Sequence, residues 1–161
     1  MDREFTCFFT GHRIIAKSKK AGIEERIRRE AEILINDNGV TDFITGGALG
    51  FDTMAARVII GLKEKYDYIK LHLYLPCYDH MRGWNTLDQY EARMIMAYAD
   101  SKTYVTEGKY IAGCMQLRNK KMAHDAQYCI AYMNNLRSGT AYTVSYAKEI
   151  DDTVINICYE S

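Results

Sequence analysis

The 161-residue chain is 48% apolar and 26% charged, and its 21 Lys and Arg balance its 21 Asp and Glu. That is the profile of a single soluble domain, long enough to bury a core without disulfide or metal staples. Zero net charge excludes a global positive field for nucleic acid or anionic membrane, so a nucleic-acid contact would need a local patch.

Strands and helices are predicted in alternation along the whole chain. Phe5–Thr10 is a continuous apolar and β-branched run, as expected of a strand buried on both faces. Ile23, Ile27, Ala31, Leu34 and Ile35 then recur at helical spacing, and Asn38-Gly39 supplies a left-handed stop. Asp42–Thr45 is a short second strand that breaks into Gly46-Gly47-Ala48-Leu49-Gly50. Phe51, Ala55, Val58, Ile59 and Leu62 mark the next helix face. Lys70–Leu75 is a strand ended by Pro76, and Trp84–Ala99 is a helix with Leu87, Tyr90, Met94 and Tyr98 along one side. A fourth strand at Thr103–Val105, a helix at Cys114–Ala126, a strand at Tyr128–Tyr132, a helix at Gly139–Ile150 and a strand at Val154–Cys158 complete the order. The pattern predicts an α/β fold of three layers, Rossmann-like, with a mainly parallel sheet flanked by helices.

The five cysteines (Cys7, Cys77, Cys114, Cys129, Cys158) form no C-x-x-C pair, which points to reduced structural thiols. The four histidines (His12, His72, His80, His124) show no ligand spacing, so no metal site is expected. No apolar run approaches the ~20 residues of a spanning helix. Met1-Asp2-Arg3-Glu4 leads into a strand without a basic n-region, and a cytoplasmic location with no membrane partner is the expectation.

In such folds ligands gather at the carboxyl ends of the strands. Three segments fall there: Thr10-Gly11-His12-Arg13, Gly46-Gly47-Ala48-Leu49-Gly50-Phe51-Asp52, and Ser138-Gly139-Thr140 ahead of the last helix. Glycines let a ligand approach the backbone, and a helix N-terminus presents free N–H groups and a positive dipole end. Gly46-Gly47-x-x-Gly50 is neither the G-x-G-x-x-G nor the Walker A pattern. Alone it fits equally well as tight strand–helix packing with Asp52 as an N-cap. Arg13 could fork onto a phosphate and His12 could donate to it or shuttle a proton. The plainer alternative pairs Arg13 with a surface acid and leaves His12 capping the sheet. Three such loops at one rim favour a phosphate site. Its expected ligand-binding residues are Thr10, Gly11, His12, Arg13, Gly46, Gly47, Ala48, Gly50, Asp52, Ser138, Gly139 and Thr140.

Phe9-Thr10-Gly11-His12-Arg13, Thr45–Asp52, Gly113-Cys114-Met115-Gln116-Leu117-Arg118-Asn119 and Ser138-Gly139-Thr140-Ala141, in this order, resemble the YpsA-like branch of the SLOG superfamily. That superfamily groups the Smf/DprA DNA-processing proteins with the LOG proteins. The resemblance implies a Rossmann-like pocket for a nucleotide-derived ligand such as ADP-ribose or NAD. It adds Arg118 and Asn119 to the ligand-binding residues, where position alone would make Arg118 a solvated helix charge. Cys114, on the same segment, has no identifiable base beside it and reads as a buried structural thiol.

LOG-type hydrolases carry a Gly-Gly-x-Gly-Thr-x-x-Glu loop, and the glutamate position here is Thr143. Glycosidic cleavage is served best by a carboxylate, and Asp52 is the nearest candidate catalytic group. At a helix N-terminus its pKa is expected to be pushed down. The favoured reading is a nucleotide-ligand binding or sensing domain with a regulatory role and a protein partner. A nucleotide N-glycosidase is the alternative, and single-stranded DNA binding ranks third. Basic clusters at Lys17–Lys20, Arg26–Arg29 and Arg118–Lys121 would have to carry such DNA contacts. A homodimer is expected on fold analogy alone.

Overall fold

In the computed structural model, which describes residues 1–158, six parallel strands form one sheet. They are β1 (Thr6–Gly11), β2 (Asp42–Thr45), β3 (Lys70–Leu75), β4 (Ser101–Tyr104), β5 (Tyr128–Tyr132) and β6 (Thr153–Asn156). Their spatial order is β4-β3-β2-β1-β5-β6. The helices are α1 (Lys20–Asn38), α2 (Phe51–Leu62), α3 (Thr86–Tyr98), α4 (Cys114–Asp125) and α5 (Gly139–Glu149).

Central β1 is buried from Thr6 to Thr10, as its uninterrupted apolar run predicts. Side chains alternate across the sheet, so Phe9 and Phe43 enter the core shared with α1, α2 and α3. Phe8 and Ile44 enter the smaller core on the opposite face, with Met122 of α4 and Val144 of α5. Phe8 lies in register with Ile44 on one side and Cys129 on the other. Helix α1 buries all five residues picked out by spacing and ends at Gly39, whose φ of 71° lets its N–H reach the Leu34 carbonyl.

Two expectations change. The α3 stripe of Leu87, Tyr90, Met94 and Tyr98 faces solvent, with Leu87 80% exposed, and the helix buries Ile95 instead. Helix α3 sits at the margin of the sheet and packs chiefly on α2, so only a narrow part of its surface is covered. The fourth strand begins earlier than Thr103, because Asp100 and Ser101 already join the ladder beside Leu71 and His72. The last strand ends at Asn156, where the Asn156 side chain accepts from the Met133 and Cys158 N–H groups. Among the described residues, no helix is long and apolar enough to cross a membrane, and no cluster of potential metal ligands occurs.

The N-terminal turn is tied to the far end of the chain by Arg3, which donates to Gln127 and to Asp152. Asp152 is buried, its Oδ2 has no hydrogen bond among the described residues, and burial pushes its pKa up to about 7. A carboxyl that holds its proton more tightly when folded stabilises the fold fully below its unfolded pKa. That contribution is lost as pH rises through about 7. Urea unfolding of the wild type is expected to lose ~2 kcal/mol relative to Asp152→Asn between pH 5 and pH 8, allowing for the water-facing Arg3. Parallel profiles for the two proteins would show that Asp152 does not titrate in this window.

Candidate functional site

The chain steps outward from β1 to β4 on one side of the sheet and then returns to β5 on the other. The strand order therefore reverses between β1 and β5, and loops diverging from that point leave a crevice above their carboxyl ends. A cleft of about 470 Å³ lies there. The N-termini of α2, α4 and α5 converge on it, represented by Asp52, Gly113 and Gly139. Three converging helix dipoles favour an anion, although the Phe51, Cys114 and Ala141 N–H groups are already taken by the His12 carbonyl, the Ile111 carbonyl and Ser138 Oγ.

Of the residues expected to bind ligand, Thr10, Gly11, His12, Arg13, Ala48, Asp52, Arg118, Asn119, Ser138, Gly139 and Thr140 line this cleft. Gly46, Gly47 and Gly50 do not, and the structure uses them for packing. A Cβ on Gly46 would lie 2.5 Å from the Arg118 guanidinium and 2.8 Å from an Asp52 oxygen, so this glycine makes room for two buried side chains at once. Gly50 starts α2 with φ of 77° against the Arg13 carbonyl. Gly47 backs onto Leu75. The plainer alternative for the second loop, tight strand–helix packing, accounts for these glycines.

Arg118 is 4% exposed. Its guanidinium donates to the Gly46 carbonyl, to the Tyr74 carbonyl at 3.4 Å and to Asn119 Oδ1 at 2.8 Å. The arginine thus clamps the second loop from behind while facing the cleft. Among the described residues, neither Arg118 nor the exposed Arg13 has a carboxylate within ion-pair distance. Burial lowers the Arg118 pKa, and the charge of Asp52 opposes that shift.

Asp52 is not the N-cap of α2. Gly50 holds that position, and Asp52 lies in the first turn, where its Oδ2 accepts from the Ala48 N–H at 3.2 Å. Its pKa moves opposite to the expectation from the helix dipole. Burial pushes the carboxyl above the ordinary range, against Arg118, the Ala48 N–H, Arg13 and the Gly46 N–H.

His12 Nε2 accepts from the Asn134 N–H at 3.0 Å, and its ring stands edge-on to Tyr132, 6.0 Å between centroids. That joins the β1 and β5 loops across the switch point. Beyond His12 and Arg13 a second groove of about 410 Å³ is lined by Ile14, Lys19, Tyr132, Asn134 and Asn135. Ser138 caps α5, accepting from the Ala141 N–H and donating to the Asn135 carbonyl, so its hydroxyl is occupied. Thr143, at the LOG glutamate position, is buried and donates to Gly139 of its own helix. Cys114 is a buried free thiol.

The cleft also takes Tyr110, Gly113, Met115, Gln116 and Tyr142, which sequence reasoning did not place at the site. Gly113, with φ of 84° directly before α4, carried the signal that could have marked a third helix N-terminus. Tyr110 is held by its N–H to Asp79 at 2.8 Å, a contact between loops with no local periodicity.

Residues 8–156 match the model of the YspA SLOG family. The SPbeta prophage-derived protein YoqJ of Bacillus subtilis (strain 168) is 27% identical over 138 residues, covering 79% of this chain and 81% of that protein. A UPF0398 protein of Bacillus thuringiensis (strain Al Hakam) is 25% identical over 140 residues, or 84% of this chain and 76% of its own length. Among solved structures, DNA processing protein A from Helicobacter pylori, described for its single-stranded DNA binding mode, superposes with a TM-score of 0.66 at 17% identity. The Streptococcus pneumoniae DprA structure gives 0.64 at 17% identity. The matches take in 94% and 92% of this chain but only 64% and 48% of those two, and likeness at this identity shows the fold alone.

Proposed function

The chain belongs to the YspA SLOG family, and from that premise we propose that it binds or senses a nucleotide-derived anion of the ADP-ribose or NAD kind and acts as a regulatory domain. The observation that carries this reading is the cleft wall. Two arginines that form no salt bridge among the described residues face three helix N-termini across one space. A phosphate there would complete a charge arrangement that the described residues leave positive. Thr10 and Thr140 line the same wall and suit phosphate or ribose oxygens, and the aromatic rings of Tyr110 and Tyr142, which also line it, suit a base. The groove beyond His12 and Arg13 favours a ligand with two recognisable ends over a mononucleotide. The ligand state would then be read by a protein partner in the cytoplasm.

Thermal unfolding with AMP, ADP, ADP-ribose and NAD tests this. A ligand that binds only the folded state, at about 100 times its Kd, adds ~2.7 kcal/mol and is expected to raise Tm by roughly 5 °C or more. Arg13→Ala should abolish the rise and change the unliganded Tm little, because Arg13 is exposed, makes no ion pair among the described residues and is a lesser charge opposing the burial of Asp52. A panel that shifts nothing defeats the reading.

A second reading, nucleotide N-glycosidase, is favoured by one observation. Asp52 lines the cleft with its carboxyl pushed upward, which suits a general acid. Release of free base from nucleoside monophosphates, lost in Asp52→Asn, would establish it. Thr143 weighs against it, since its hydroxyl is spent on its own helix. Single-stranded DNA stays third, on zero net charge.

A further inference from the structure

Behind the cleft, a small cavity of about 20 Å³ lies between the carboxyl ends of β2 and β3 and the helices α2 and α3. Most of its wall is apolar, including Leu73, Leu75 and Ile95, but Thr45, Asp52 and His80 also line it. Thr45 Oγ1 and His80 Nδ1 are both buried, and neither makes a hydrogen bond to any described residue. A buried polar atom left unsatisfied keeps its full desolvation cost. Two of them beside a space of this size, with a carboxyl in the same wall, match what one buried water needs in volume and in polar partners.

Asp52 lines both this cavity and the cleft, so it separates the two spaces. His80 stands edge-on to Trp84, 5.8 Å between centroids, which fixes the imidazole plane. We propose that the cavity holds one ordered water that bridges Thr45 Oγ1 and His80 Nδ1 and hydrogen-bonds the Asp52 carboxyl, making His80 a positioning residue for Asp52. The water accepts from the Thr45 hydroxyl and donates to Asp52. Its remaining valence meets His80, whose pKa is lowered by burial and by the charge of Arg118, against the Cys77 backbone carbonyl and the charge of Asp79. The other charged groups that face Asp52 are Arg118 and Arg13, both in the cleft wall, and Arg118 also faces His80. The site is independent of the ligand reading, because Thr45 and His80 need a partner whether or not a nucleotide binds.

A high-resolution crystal structure of the full chain is expected to show one full-occupancy water within hydrogen-bond reach of Thr45 Oγ1 and His80 Nδ1. A dry cavity, or a rearrangement that pairs those atoms with protein groups, overturns the proposal. The coupling is read separately by carbon-13 titration of the Asp52 carboxyl. His80→Phe should shift its midpoint by about one pH unit. His80→Gln, which keeps a polar group there, should restore most of the wild-type value. Thr45→Val removes one anchor of the water with little change of shape, should shift the midpoint in the same direction, and carries the readout if His80→Phe does not fold. A midpoint unmoved in the folded variants overturns the role given to His80.

Discussion

Arg118→Met is expected to lower the unfolding free energy by about 2–3 kcal/mol, the cost of leaving a buried carbonyl without its charged donor. Methionine keeps most of the aliphatic stem, so the loss isolates the guanidinium. That group is the donor for the Gly46 carbonyl, and it is the charge that opposes the desolvation of Asp52. Without it the carbonyl is orphaned and the carboxyl sits in a buried wall with only the Ala48 and Gly46 N–H groups and the more exposed Arg13 to offset it. Adding Asp52→Asn to Arg118→Met should recover at least about 1 kcal/mol, because the second change removes the uncompensated charge. Equilibrium urea unfolding of the two single variants and the double variant gives the coupling directly. A single variant within 1 kcal/mol of wild type would mean that Arg118 does not hold the second loop. The same substitution removes a positive charge from the cleft, so ADP-ribose or NAD, if either binds, should bind more weakly even where the variant is fully folded.

Gly50→Ala is the second large effect, at about 3 kcal/mol. Gly50 has φ of 77° and ψ of −118°, a region that L residues occupy only under strain of about 1–3 kcal/mol. The added methyl would also stand 2.2 Å from the Arg13 carbonyl oxygen and 2.7 Å from that of His12, which is overlap with backbone. Relief requires moving the β1 loop, and that loop carries His12 and Arg13. Weaker ligand-induced stabilisation should therefore accompany the loss of stability. Gly61→Ala, in the same helix, supplies the contrast. A Cβ there meets nothing within 4 Å, and replacing a helical glycine is expected to stabilise by about 0.5–1 kcal/mol. Thermal melts of the two variants should move in opposite directions, and melts that move together would show that the clash at Gly50 is relieved without cost.

Much of the architecture is legible in local pattern. The two-face burial of β1, the spacing of Ile23, Ile27, Ala31, Leu34 and Ile35, and the stop at Gly39 depend on neighbours within one or two turns or along one strand. The three loops at the rim follow from the alternation of strand and helix, since parallel strands place every strand-to-helix loop at the same edge. Helix α3 shows the limit of periodicity. Two faces of Thr86–Tyr98 carry apolar residues, and the choice of Ile95 over Leu87, Tyr90, Met94 and Tyr98 was made by where α2 lies.

For the candidate site, the sequence by itself determined which residue types stand at the carboxyl edge of the sheet, and that helix N-termini would face them. Tertiary structure alone decided what each of them does. Gly46 clears space for Arg118, 72 positions away in the chain. Asp52 accepts from Ala48 instead of capping its helix, and burial raises its pKa where the helix dipole alone would lower it. Ser138 spends its hydroxyl on α5, while Tyr110 enters from a loop that shows no motif of its own. The physical reason is common to all of them. Secondary structure answers to short-range sterics and periodic burial, whereas desolvation and charge pairing depend on groups brought together from distant parts of the chain.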